Sequence, residues 1–222
     1  IMRQSSWEIY RMIKNIIFDY DGTIADSVNI KTEAFAELYR NYGKDIESKV
    51  VKYHLNNGGV SRFEKFKYYH KEFLNIDLDE GKIQELAQKF SKLVTNKVVH
   101  SPYIPGAFEF ISNNYKKYNM FISTATPTDE IKEILSRKNL TLYFKDIKGS
   151  PESKVAHVKQ IISNNNYFSN ETVYIGDSGS DKDAAHHNEI SFIAISNTNK
   201  FQNERFLMPD LIDFELLLNK MN

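Results

Sequence analysis

Acidic residues crowd two short stretches of this chain. NIIFDYDGT carries Asp19 and Asp21 directly behind the apolar run Ile16, Ile17, Phe18, and Asp26 follows soon after. TVYIGDSGSD carries Asp177 and Asp181 behind a second apolar run. Carboxylates gathered at one point repel each other unless something positive is bound. The chain has no Cys, and its His residues are not placed at these strand ends, so the ligands on offer are hard oxygens. That set favours Mg²⁺, with water and a phosphate completing about six ligands. Such a site favours phosphoryl transfer. An Asp can attack phosphorus and hold the phosphoryl group as an acyl phosphate, which splits one hard step into two. A cation such as Lys154, together with the metal, would neutralise the transferring oxygens. A hydroxyl such as Thr124 and free backbone N–H groups at helix starts would hold the same oxygens.

The acids must be brought together by the elements that carry them. Residues 15–19 read as a short buried strand, β-branched and aromatic. Further strands are expected at 120–123, 146–149, 172–176 and 191–196, with helical patterns between them at 106–117, 128–138, 152–164 and 180–188. Strand–helix alternation implies a parallel sheet covered on both faces. Ligands of such a sheet bind outside the carboxyl ends of its strands. Those ends carry Asp19 and Asp21, then Ser123, Thr124 and Thr126, then Lys154 at the next helix start, then Gly176, Asp177, Ser178, Gly179 and Asp181. Four separate stretches thus deliver polar groups to one edge.

Residues 28 to about 98 break the alternation and read as helical. Val28, Phe35, Leu38 and Tyr42 share one face, and Gly43 supplies a stop. After a polar stretch, NNGG at 56–59 interrupts the chain. Ser61 with Glu64, and Asp77 with Glu80, have the capping-box spacing, each before a helix. Phe66, Tyr68, Tyr69 and Phe73 read as the core of this block. The expected fold is therefore α/β: a Rossmann-like parallel sheet with an all-helical insertion. The core domain is assigned to 1–26 and 100–222, and the helical cap to 27–99.

Bulk composition narrows the function. Of 222 residues, 41% are hydrophobic, enough for a proper core, and Lys+Arg and Asp+Glu are both 29. The balance gives no sign of nucleic acid or membrane as a partner. No apolar run approaches the ~20 residues of a membrane span. Without Cys, disulfides, zinc–thiolate sites and cysteine catalysis are excluded, which fits a cytoplasmic protein. Ile1 ahead of Met2 reads as a cut edge, and residues 1–13 as an added amphipathic segment.

DYDGTIADS resembles the DxDGT signature of the haloacid dehalogenase superfamily. Thr124 in FISTATP resembles that family's second motif, Lys154 in GSPESK its third and GDSGSD its fourth, all in order over nearly the whole chain. The resemblance implies Asp19 as nucleophile and Asp21 as general acid and base, also offering its backbone carbonyl to Mg²⁺. Asp21 would need a raised pKa to be protonated when substrate arrives. Asp177 would be the third protein ligand, and Asp181 a ligand through water or a support. Lys148 in KGSP is the alternative to Lys154. Gly22, Thr23 and Ala125 are expected on the substrate. GGVSRFEKF resembles the GVSR loop in the caps of β-phosphoglucomutase-like relatives, which implies that Arg62 clamps an anionic group at the non-reacting end of a sugar phosphate. A surface Arg at a helix start is the alternative.

The expected function is Mg²⁺-dependent hydrolysis of a small phosphorylated metabolite, of the phosphoglycolate phosphatase-like kind, by a monomer or dimer. A sugar phosphate or sugar-acid phosphate is the favoured substrate. A sugar-phosphate mutase would carry a His ten residues after Asp21, where Lys31 stands. A true haloacid dehalogenase lacks the second acid of the first motif. A receiver domain needs only about 120 residues and no helical insertion, and a pure phosphate binder has no need of both acids.

Overall fold

The computed structural model describes residues 12–222; the amphipathic segment expected at the N-terminus lies almost wholly outside them. Six parallel strands form one sheet: β1 (Asn15–Phe18), β2 (Asn119–Pro127), β3 (Asp146–Ser150), β4 (Thr172–Gly176), β5 (Ser191–Ile195) and β6 (Leu207–Met208). Their order across the sheet is β3-β2-β1-β4-β5-β6. The chain winds outward from β1 in both directions, so the crevice where ligands bind opens at the carboxyl end of the central strand. All four residues of β1 are buried because neighbours cover both faces. Ile16 and Phe18 belong to one hydrophobic core, and Ile17 packs into the other with Phe121 and Tyr174. That is the period-two alternation of a strand covered on both sides.

The helices α1 (Val28–Tyr39), α2 (Lys44–Asn56), α3 (Arg62–Tyr68) and α4 (Glu80–Val99) form the block between β1 and β2. Its centre is aromatic: the Phe35 ring lies 4.3 Å from Phe90, 5.7 Å from Tyr69 and 5.8 Å from Phe66. Phe66 and Tyr69 are buried as expected, whereas Tyr68 is exposed. The core helices are α5 (Ala107–Asn114), α6 (Thr128–Arg137), α7 (Lys154–Asn165), α8 (Gly179–His187) and α9 (Phe214–Met221).

The structure corrects several local readings. Ser61 does cap α3, its hydroxyl accepting from the Glu64 amide at 3.4 Å. The cap of α4 is Asp79 rather than Asp77: its carboxylate accepts from the Lys82 amide at 2.7 Å. In DLDE either acid can serve, and the later one reaches the orphan amide of the first turn. The polar stretch after Gly43, inside the block expected to be helical, is the helix α2, which buries only Val50 and His54 and starts with Asp45 and Glu47 on the positive end of the helix dipole. The strand β6 and the helix α9 were not anticipated. Among the described residues no helix is long and apolar enough to cross a membrane.

Candidate active site

Register explains how the acids meet. Phe18 pairs with Ile122 on one side and Ile175 on the other. One residue further on, Asp19 therefore leaves the sheet beside Ser123 and Gly176, with Thr124 and Asp177 next in line. The Asp19 amide donates to the Ile175 carbonyl at 2.9 Å, which continues the ladder to the point where the side chain is needed. Lys154 enters from the first position of α7. Its Nζ lies 2.9 Å from Asp19 Oδ2 and 2.6 Å from Asp181 Oδ1. Lys148 points away, to Gln160 at 2.9 Å and Asp146 at 3.3 Å. Lys154 is thus the lysine that the fold delivers to the acids.

Asp19, Asp177 and Asp181 each offer an oxygen, and these oxygens lie within 4.8 Å of one another. Against them stands one buried ammonium. Burial raises the Asp19 carboxyl; Lys154 opposes this, but Asp181, Asp177 and Asp21 add to it, leaving it at about 8. Burial and Asp181 likewise push Asp177 up to about 7. The excess negative charge is what a divalent cation would balance, and an all-oxygen donor set suits Mg²⁺. Both Asp181 oxygens are already engaged: Oδ1 accepts from Lys154, and Oδ2 accepts from the Ser178 amide at 3.0 Å and the Ser178 hydroxyl at 2.6 Å. That engagement suits the supporting role among the two expected for it.

Asp21 departs from expectation. Burial alone would raise its carboxyl, but the Lys31 ammonium and hydrogen bonds from Lys31, Ser27 and Thr126 outweigh burial and hold it below the usual carboxylate range. Ser27 donates at 2.6 Å and Thr126 at 3.0 Å, and Lys31 is ion-paired to the same carboxylate. Lys31, on the first turn of α1, also donates to the Thr126 hydroxyl at 2.6 Å. The raised pKa expected of an acid catalyst is absent in this arrangement, because a cap residue neutralises the site.

Thr124 is buried on the cleft and accepts from the Thr126 amide at 3.2 Å, which leaves its own O–H free to donate. Ala125 also lines the cleft. Gly22 and Thr23, expected on the substrate, are not among the residues that line the cleft. Their amides are spent on Ala25 at 2.8 Å and Tyr20 at 3.4 Å. Gly22 has φ 81°, and a Cβ there would collide with the Asp177 carboxylate, so its task is the turn that lets the two acidic stretches approach.

The helical block covers the site. A Cβ on Gly59 would run into the Ser180 hydroxyl, so the NNGG loop seats directly on the first turn of α8. Arg62 lines the cleft and is buried, so the surface alternative does not hold, and its guanidinium is already engaged. Its Nη1 and Nη2 donate to the Glu130 carboxylate on α6 at 2.7 and 2.6 Å, and Nη1 also reaches Ser91 at 2.7 Å. The guanidinium lies 4.5 Å from the centre of the Phe90 ring. A bidentate pair this dry ties helix α3 to the core.

Sequence reasoning missed Lys31, His54, Lys65 and Glu130 as parts of the site. One signal was available. Arg62, Lys65, Phe66 and Tyr69 have the i, i+3, i+4, i+7 spacing of one helical face, so taking Phe66 and Tyr69 as core puts Lys65 inside. Lys65 is 1% exposed.

The profile of the family described as "Haloacid dehalogenase-like hydrolase" matches residues 16–195, a span running from β1 to β5. The chain belongs to this family. A Thermotoga maritima protein, "Phosphorylated carbohydrates phosphatase", is 26% identical over 137 residues, which are 58% of this chain and 57% of that one. The chain thus spans little more than half the length of this curated relative. Among solved structures, a β-phosphoglucomutase from Clostridium difficile superposes with a TM-score of 0.79 at 19% identity, covering 95% of this chain and 98% of that one. The magnesium-bound HAD-hydrolase YfnB from Bacillus subtilis gives 0.72 at 19% identity, with 94% and 100% covered. At these identities the likeness is one of fold.

Proposed function

We propose that this protein is a Mg²⁺-dependent phosphatase acting on small phosphorylated carbohydrates through a phospho-aspartate at Asp19. The observation that carries the reading is the buried Lys154 ammonium held between Asp19 and Asp181, beside the three-carboxylate cluster. The Thermotoga relative's name and the magnesium in the Bacillus neighbour support it. Asp19, Asp177 and the carbonyl of Asp21 would hold the ion, which supplies positive charge to the transferring oxygens.

Asp19 Oδ attacks phosphorus as the ester oxygen leaves. Lys154 and the Thr124 hydroxyl hold oxygens of the group in transfer. In the first half-reaction the leaving alcohol needs a proton, so Asp21 must carry one and Lys31 must release it. In the second, ionised Asp21 takes a proton from the water that attacks the phospho-aspartate, and Asp19 is regenerated. The seated cap keeps bulk water out while the transfer occurs.

A mutase must also hold a second phosphate. Arg62, the residue that would take it, is spent on Glu130, and Lys31 stands where the mutase-type His would be. The reading is tested by phosphate release from a panel of sugar, sugar-acid and short organic-acid phosphates, with and without Mg²⁺. Release that needs the ion is expected. Isomerisation of one sugar phosphate without release would favour the mutase instead.

A further inference from the structure

Lys65 takes no part in the chemistry above, yet it is buried on the cleft wall. Its Nζ lies 2.8 Å from Nδ1 of His54 and 5.4 Å from the centre of the Phe35 ring. The other buried or half-buried cations of the cleft each have a carboxylate: Lys31 has Asp21, Arg62 has Glu130, and Lys154 has Asp19 and Asp181. Among the described residues Lys65 has none. An ammonium brings three N–H donors, and His54 takes one. His54 is itself buried, and its Nε2 has no partner.

A lone charge in a dry site is costly until a counter-charge arrives. Burial, with help from Lys31, Lys154 and Arg62, pulls the Lys65 amine down to about 7, against a smaller opposing effect of Asp21. Burial and the same ammonium pull His54 down to about 3, so its ring is neutral. With Nδ1 accepting from Lys65, the ring proton sits on Nε2. The cap wall therefore holds one cation without a carboxylate, Lys65, positioned by the neutral His54 ring.

We infer that Lys65 and His54 form a carboxylate-reading site in the cap, which selects phosphate esters whose leaving group carries a carboxylate, such as phosphorylated sugar acids. The inference rests on the phosphatase reading for its reaction but not for its binding. A carboxylate brings one negative charge and two acceptor oxygens, matching the charge of Lys65 and the two N–H donors that its bond to His54 leaves free. A sugar hydroxyl would leave the charge unbalanced. A second phosphate would bring about two negative charges to a single free cation.

The test uses Asp19→Asn protein with Mg²⁺, which the proposed mechanism leaves unable to turn over an ester. Calorimetry gives Kd for a terminally phosphorylated aldonic acid and for the matching aldose phosphate. The acid is expected to bind about 10-fold tighter or better, the scale of a charge-assisted hydrogen bond. Adding Lys65→Met should weaken the acid and bring the two ligands level, and Lys65→Arg should keep part of the preference. Equal affinities before Lys65 is changed, no binding of the acid, or an equal loss for both ligands on Lys65→Met would overturn the inference. Turnover of p-nitrophenyl phosphate by protein with Asp19 intact reports on the phosphatase reading separately. Its absence alongside a preserved carboxylate preference would sink the hydrolysis and leave the binding site standing.

Discussion

Asp19 and Arg62 are both buried against a partner of opposite charge, one on the core wall of the cleft and one on the cap wall. On the core wall one ammonium faces three carboxylates, and burial together with the excess of negative charge holds Asp19 at about 8 and Asp177 at about 7. That wall is unbalanced in a way that binding a cation corrects. On the cap wall Arg62 is neutralised outright by Glu130, whereas Lys65 has no carboxylate partner among the described residues. The difference separates charges kept for reaction from charges kept for docking the cap. A charge that is already satisfied holds the fold together, and one left unbalanced waits for a ligand.

The largest effects should come from the core wall. Asp21→Asn is expected to cut kcat by ~10²–10⁴, the usual scale of acid–base catalysis. Lys154→Met should cost ~10²–10³ in kcat through lost charge stabilisation of the transferring group. Steady-state phosphate release with Mg²⁺ measures both, and near-normal kcat in either variant would break the comparison.

The cap wall should instead report through stability. Arg62→Met leaves the Glu130 carboxylate buried and unpaired, so urea unfolding should show a loss of about 3–5 kcal/mol. Removing both charges, as in Arg62→Met with Glu130→Leu, should recover most of it. Lys65→Met abandons no carboxylate and should leave stability level or improved. A loss for Lys65→Met as large as that for Arg62→Met would erase the distinction between the two cations.

The smallest effect is on pH dependence. Folded Asp19 and Asp177 keep protons that the unfolded chain gives up above about pH 4. The folded state therefore binds more protons across that window, and metal-free stability should fall as pH rises from about 4 through the folded values near 7 and 8. Mg²⁺ replaces those protons, so its stabilisation should be greater at pH 8 than at pH 5. Thermal unfolding with and without the ion measures this, and a pH-independent gain would place the ion away from these acids.

The same division governs what could be read from the sequence. The core wall is built by register. An apolar strand followed at once by acids announces itself in NIIFDYD and in VYIGD, and parallel pairing does the rest. Sequence shows Thr126 only as a strand-end hydroxyl, because its bonds to Asp21 and Lys31 depend on where α1 lies. The cap wall is built by helix packing. Arg62 and Glu130 are 68 residues apart on elements from different parts of the chain, and no local pattern ties them together. The bounds of helix α2 carry no apolar period of their own, since it buries so narrow a face. Two-residue β6 is too short to carry a period.

The most direct test of the account is to find the phosphoryl group in transit. Protein mixed with Mg²⁺ and a substrate from the panel would be quenched rapidly in acid, digested, and its peptides weighed by mass spectrometry. The account expects a phosphoryl group on the peptide containing Asp19, lost on longer incubation and never formed by Asp19→Asn protein. Phosphate release with that peptide unmodified at every time point, or a phosphoryl group carried by another residue, would contradict it.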